Sequence, residues 1–212
     1  PHVTILQSYP AEDGRAELET ALADKLVERG LEVTLLSDVY HWPSDKPLPL
    51  NELNEQVALI VFSWYQPRAI FWTLAERGLT GRRAEHLGGS DGRPVVVLDL
   101  HGRCCAERWT EAVEELLGGV WPNGEGTTTR HETELAERWY PVVDYDRCTG
   151  CLDCLEFCLF GVYDTDEEGA VTVAVPEACK PGCPACSRVC PSQAIMFPLH
   201  PSDPAIAGAD EG

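Results

Sequence analysis

Cys148-Thr-Gly-Cys151-Leu-Asp-Cys154-Leu-Glu-Phe-Cys158, followed by Cys179-Lys-Pro-Gly-Cys183-Pro-Ala-Cys186-Ser-Arg-Val-Cys190-Pro191, is the stretch from which the rest of the chain is read. The first run is spaced C-x2-C-x2-C-x3-C, so that a tight loop can wrap three thiolates round one iron–sulfur cubane. A short helix after such a loop carries the fourth cysteine away from that iron. In the two-cluster arrangement this fourth thiolate serves the cluster of the other run. The expected quartets are therefore Cys148, Cys151, Cys154 with Cys190, and Cys158 with Cys179, Cys183 and Cys186. The second run departs from the spacing, because three residues, Lys180-Pro181-Gly182, separate Cys179 from Cys183. Pro-Gly is turn chemistry, and a wider turn can absorb the extra residue without losing the thiolate. Leu159 stands where a proline often follows the fourth cysteine, and Pro191 keeps that proline in the second run.

Other chemistries use cysteine pairs. Structural zinc wants four ligands in well-separated C-x2-C pairs, whereas two interleaved quartets suit cubanes. A disulfide framework belongs to an oxidising compartment and to smaller chains, and no charged–apolar–cleavage pattern opens this sequence. Clusters that only staple the fold are compatible with the spacing and stay open as an alternative.

The flanks of the runs repeat each other. After each last cysteine the chain is expected to turn into a strand, at 161–163 and at 194–197, and apolar segments at 140–145 and 170–175 precede the loops as further strands. Two copies of loop, helix and strand imply pseudo-twofold symmetry. On these residues, segment 141–198 resembles the bacterial-type dicluster ferredoxins, with two [4Fe-4S] clusters. The resemblance implies a small α+β domain, one-electron transfer at low potential and soluble redox enzymes as partners.

Asp and Glu number 35 against 16 Lys and Arg, a formal net charge of −19. Beyond residue 140 there are 3 basic and 12 acidic residues, so the shorter cysteine-bearing part is the denser in negative charge. Oxidised cubanes add about two negative charges each, which would steer this part toward a basic docking patch on a redox enzyme. Nucleic acid and anionic membrane are poor partners for such a charge. No apolar run is long enough to span a bilayer, and the expected location is the cytoplasm.

Residues 1–140 alternate strand and helix. Strands are expected at 2–8, 31–36, 56–63 and 94–100, the last two as nearly continuous apolar runs that suit strands covered on both faces. Helices are expected at 14–29, 67–77 and 107–117, with a fifth strand near Val120 and a helix from Thr129 to Trp139. The order looks flavodoxin-like, an open parallel sheet with helices on both faces, in architecture only. A flavodoxin holds the phosphate of FMN in a hydroxyl-rich loop after its first strand. Here that loop is Ser8-Tyr9-Pro10-Ala11-Glu12-Asp13-Gly14, where Pro10 lacks an N–H and two carboxylates stand in the phosphate's place, so FMN is not expected.

Trp64, Tyr65, Phe71 and Trp72 follow the third strand; Trp64 and Tyr65 could stack on a planar ring, or more simply these aromatics close the core or a docking face. Asp99-Leu-His101-Gly-Arg103-Cys104-Cys105 follows the fourth strand. Its thiols are expected to be reduced and partly buried, with a reactive role for Cys104 or Cys105 as the alternative. His41, His86 and His131 read as surface or loop residues. The expected organisation is an α/β domain at 1–140, a dicluster ferredoxin domain at 141–198 and a flexible tail at 199–212. The expected function is a one-electron relay between soluble redox partners. The alternatives are a flavin- or thiol-dependent oxidoreductase fed by the clusters, and a complex subunit or adaptor with structural clusters.

Overall fold

A computed structural model describes all residues except Asp13, Ser90, Arg103, Cys104, Glu211 and Gly212. The chain forms two compact units, residues 1–64 with 74–136, and residues 65–73 with 137–212. The second unit thus takes nine residues, 65–73, from far upstream.

The first unit is built on a six-stranded parallel sheet. In chain order it contains β1 (His2–Leu6), α1 (Arg15–Glu28), β2 (Glu32–Leu36), β3 (Leu59–Ser63), the end of α2 (Pro67–Glu76), β4 (Arg82–Arg83), β5 (Pro94–Asp99), α3 (Ala106–Leu116) and β6 (Thr127–His131). The sheet order is β4-β5-β3-β1-β2-β6, and every pairing is parallel. Alternation along the strands explains the packing. Val3, Ile5, Val33, Leu35, Ile60 and Phe62 share one face with Leu22 and Leu26 of α1 and Trp109 and Val113 of α3. The intervening Thr4, Leu6, Leu36, Leu59 and Val61 are buried too, as the continuous apolar runs require.

Two expectations fail in this unit. Val120 forms no strand and is 74% exposed, because α3 ends in left-handed Gly118 and Gly119, whose N–H groups close on Glu115 and Glu114 carbonyls. The last strand comes later, at β6, and joins the edge beside β2, Glu32 pairing with Thr127 and Leu36 with His131. The helix expected over 129–139 is therefore absent. Three consecutive threonines, β-branched and suited to a pleated edge, favour the strand.

The second unit holds the start of α2, β7 (Val142–Val143), α4 (Asp153–Phe157), β8 (Tyr163–Thr165), β9 (Val171–Val173), α5 (Ala185–Val189), β10 (Ile195–Met196) and α6 (Pro204–Ala207). β7 pairs antiparallel with β10, and β8 with β9. Strand, loop, helix and strand thus occur twice, each copy lending one strand to the other's ribbon. Of the segment expected as a flexible tail, 199–212, residues 203–209 fold back. Asp203 caps α6 by accepting the N–H groups of Ala205 and Ile206, Phe197 N–H donates to the Ile206 carbonyl, and Ile206 and Ala207 are buried. Among the described residues no helix is long and apolar enough to cross a membrane.

Candidate metal centre

The first cysteine loop is launched by Asp144. Its carboxylate accepts the N–H groups of Asp146 and Arg147, both at 3.1 Å, and its carbonyl accepts that of Cys148 at 2.9 Å. Gly150 at φ 69° and Leu152 at φ 64° are left-handed and bend the loop back on itself before α4. A leucine in that region is uncommon, the sort of backbone cost that clusters at functional sites. Cys154 is the second residue of α4. Cys158 closes the helix, its N–H donating to the Cys154 carbonyl at 3.1 Å, and is already extended.

The second loop repeats this with one change. Cys186 is the second residue of α5, and Cys190 closes the helix with N–H to the Cys186 carbonyl at 3.2 Å. Upstream, Cys183 N–H donates to the Lys180 carbonyl at 3.0 Å across Pro181 and Gly182, the latter at φ 75°. This is a turn with proline at its second and a left-handed glycine at its third position, so the inserted residue is taken up before Cys183.

Each expected quartet lines one cavity. Cys148, Cys151, Cys154 and Cys190 line a narrow pocket closed by Val143, Val171 and Ile195. Cys158, Cys179, Cys183 and Cys186 line a larger cleft of about 450 Å³, bordered by Phe157, Leu159 and Phe160. Among the described residues no three His, Cys, Asp or Glu converge as they would on a single metal ion. A cubane takes one thiolate at each of four separate corners.

The surroundings suit cluster sulfur. Ala194 N–H points at the Cys190 sulfur, 3.3 Å away. Tyr163 is buried with its hydroxyl beside the Cys186 thiol, and burial together with that neighbour holds it protonated. Burial also pushes the Cys154 and Cys186 thiols up to about 11 and the Cys179 thiol up to about 12. Without a cluster these thiols are protonated and inert at neutral pH, so loading must release protons. The residues present therefore fit two four-thiolate groups, with Trp139 bracing the second loop by donating to the Cys183 carbonyl at 3.0 Å while stacked on Phe197.

Sequence reasoning missed Arg68 and Asp144. Arg68, at the start of α2, is 1% exposed and ion-paired to Asp144 at 3.2 Å. No local pattern marks a lone arginine as buried, although an aspartate near the end of the segment expected as a strand at 140–145 is a turn signal. His41, expected as a surface or loop residue, lies in a loop but is 3% exposed, its Nδ1 hydrogen-bonded to Asp38 Oδ1 at 3.0 Å. In the first unit, Trp64 donates its indole N–H to buried Glu19 at 2.8 Å beneath the Arg15 guanidinium, and His101 meets its edge. Cys105 is half-buried and precedes α3, while Cys104 and Arg103 lie outside the described residues.

No protein-family model matches the chain. Over 61 residues it is 49% identical to an uncharacterized ferredoxin of Methanocaldococcus jannaschii, covering 28% of this chain and 41% of that protein's length. It is 31% identical over 70 residues to the pyruvate synthase subunit PorD of the same organism, covering 33% of this chain and 79% of the subunit. The PorD subunit of Methanothermobacter marburgensis is 33% identical over 72 residues, covering 34% of this chain and 82% of the subunit.

Proposed function

This chain belongs, through about a third of its length, to the family of ferredoxins and PorD subunits, and on that premise we propose that it is a two-cluster electron relay. The observation that carries the proposal is the division of eight cysteines between two cavities, four to each. Cys148, Cys151, Cys154 and Cys190 would hold one [4Fe-4S] group, and Cys158, Cys179, Cys183 and Cys186 the other. Each group, when bound, supplies reversible storage of one electron. The protein's part is to exclude water from the narrow pocket, to aim Ala194 N–H and Tyr163 O–H at sulfur, and to offer a face for exchange.

That face lies at the wider cleft. Phe157 and Phe160 are about half exposed and Leu159 is 92% exposed, an unusual cost for three apolar side chains beside four thiolates. With acidic residues outnumbering basic ones by 12 to 3 beyond residue 140, the partner is a soluble redox enzyme offering a basic rim round an apolar centre. A role beside a larger oxidoreductase, as the name of the PorD relatives implies for them, fits this reading. The location proposed is the cytoplasm.

For the first unit we propose a flavodoxin-like sheet that does not take FMN. Buried Glu19 accepts the Ser8 N–H at 2.8 Å, so a carboxylate already uses a donor that a phosphate after β1 would need.

Substituting single ligands tests the assignment. Cys158→Ala should remove the group of the second run and leave that of the first, and Cys190→Ala the reverse, each variant keeping about half of the iron. If Cys158→Ala instead empties the site of its own run, the crossed ligation is wrong.

A further inference from the structure

Arg68 stands 76 residues before Asp144 in sequence and 125 before Gln193, yet its guanidinium touches both. Nη1 donates to the Asp144 carboxylate and to the Gln193 carbonyl, each at 3.2 Å, and Nε donates to the Gly208 carbonyl at 3.4 Å. The Gly208 backbone is left-handed, at φ 101°, and a side chain there would run into Ala69 and Met196, so the return of the chain after α6 is fitted to this helix. All these residues belong to the second unit.

The partners are not arbitrary. Asp144 launches the loop of Cys148, Cys151 and Cys154, as described above. Gln193 is a left-handed non-glycine residue, φ 52°, in the turn between Cys190 and Ala194, whose N–H reaches the Cys190 sulfur. One guanidinium thus ties together the two segments that furnish a single quartet. Asp144 N–H donates to the Ala194 carbonyl at 2.8 Å and closes the same junction from the backbone.

The internal repeat supplies a control. Four residues before Cys179, where Asp144 precedes Cys148, stands Val175, 46% exposed, and three residues after Cys158, where Gln193 follows Cys190, stands Gly161. The second quartet has no buried carboxylate at the matching place for an arginine to hold.

We propose that Arg68 is a positioning residue for the cluster of Cys148, Cys151, Cys154 and Cys190, joining the two cysteine segments and placing a buried positive charge at their junction. The proposal rests on the two-cluster reading. It also means that a fragment beginning after residue 136 lacks part of its own metal centre. The charge favours the reduced, more negative state, so its loss should lower that cluster's potential and leave the other untouched.

The test uses the full chain, reconstituted anaerobically, with Arg68→Met and Arg68→Lys placed in three backgrounds: wild type, Cys158→Ala and Cys190→Ala. Iron and sulfide content, the paramagnetic resonance spectrum after dithionite and a redox titration are read in each. Arg68→Met should lower the potential or the occupancy in the Cys158→Ala background, where only the first quartet is complete, and change nothing in the Cys190→Ala background. Arg68→Lys, which keeps the charge without the fork, should return most of the loss. Equal effects in both backgrounds, or none in either, would overturn the proposal, the first by making Arg68 a general support of the fold. A wild-type chain that binds no iron sinks the two-cluster reading instead. The tie between the segments is then read in the metal-free chain, where Arg68→Met must speed hydrogen exchange at Asp144, Cys148 and Ala194 if it holds them, and overturns the proposal if it does not.

Discussion

Replacing Arg68 by methionine strands a carboxylate. Asp144 is 3% exposed, and after the change its remaining support is the pair of backbone N–H groups at 3.1 Å and the Arg147 guanidinium at 3.7 Å. Removing one partner of a buried ion pair costs about 3–5 kcal/mol, and this residual support puts the expected loss at the lower end, about 3 kcal/mol. A domain stable by about 5–15 kcal/mol survives such a loss, so the variant should fold and be measurable. Native-state hydrogen exchange is the suitable assay, because it reads each unit separately. At about 1.4 kcal/mol per factor of ten, amides of the β7–β10 ladder should exchange roughly 100-fold faster in Arg68→Met. Those of β1 and β3 in the other unit should not change. Adding Asp144→Asn removes the stranded charge while its amide oxygen still accepts both N–H groups, so the double variant should recover about 2 kcal/mol. A change under about threefold at β7 and β10, or a double variant no better than the single, would refute the electrostatic reasoning.

Alkaline pH should weaken the metal-free chain. Its folded thiols at Cys154, Cys186 and Cys179 are raised to about 11, 11 and 12, so the unfolded chain gives up these protons first. The stability they contribute is complete below the unfolded thiol pKa, about 8.5, and falls as pH rises through 11 to 12. The urea midpoint of the chelated, reduced chain should therefore drop between pH 8 and 11, and drop less when the three cysteines are alanines. Leu159→Lys, at a position 92% exposed, should leave iron content unchanged and slow electron transfer to a basic redox protein such as cytochrome c in stopped-flow mixing. An unchanged rate would remove the wider cleft as the exchange face. Gly182→Val puts a β-branched residue at φ 75° and should cost about 1–2 kcal/mol in denaturant titration, with the cluster of Cys179 the more easily lost.

The two cysteine loops were legible because their spacing is local: three cysteines lie within one loop, and a short helix carries the fourth away from it. The strands at β3 and β5 were legible for the same reason, since a nearly unbroken apolar run must be covered on both faces. What escaped depends on contacts distant in sequence. β6 joins the far edge of the sheet through register with β2, and its threonines read equally well as a loop. Arg68 looks like any helical arginine until Asp144 and Gln193 arrive from more than seventy residues away. The segment after Pro198 is short, rich in proline and polar, yet Ile206 finds a place in the cysteine-lined core. His41 is buried by its neighbour Asp38, a pairing that three residues of separation permit but do not announce.

Anaerobic purification followed by iron, acid-labile sulfide and flavin assays on the same sample tests the two-cluster relay most directly, with paramagnetic resonance spectra before and after dithionite. Two loaded quartets require about eight iron and eight sulfide per chain, no stoichiometric flavin, and a reduced spectrum showing two interacting clusters. About four iron, clusters that dithionite cannot reduce, or one flavin per chain would each contradict that account.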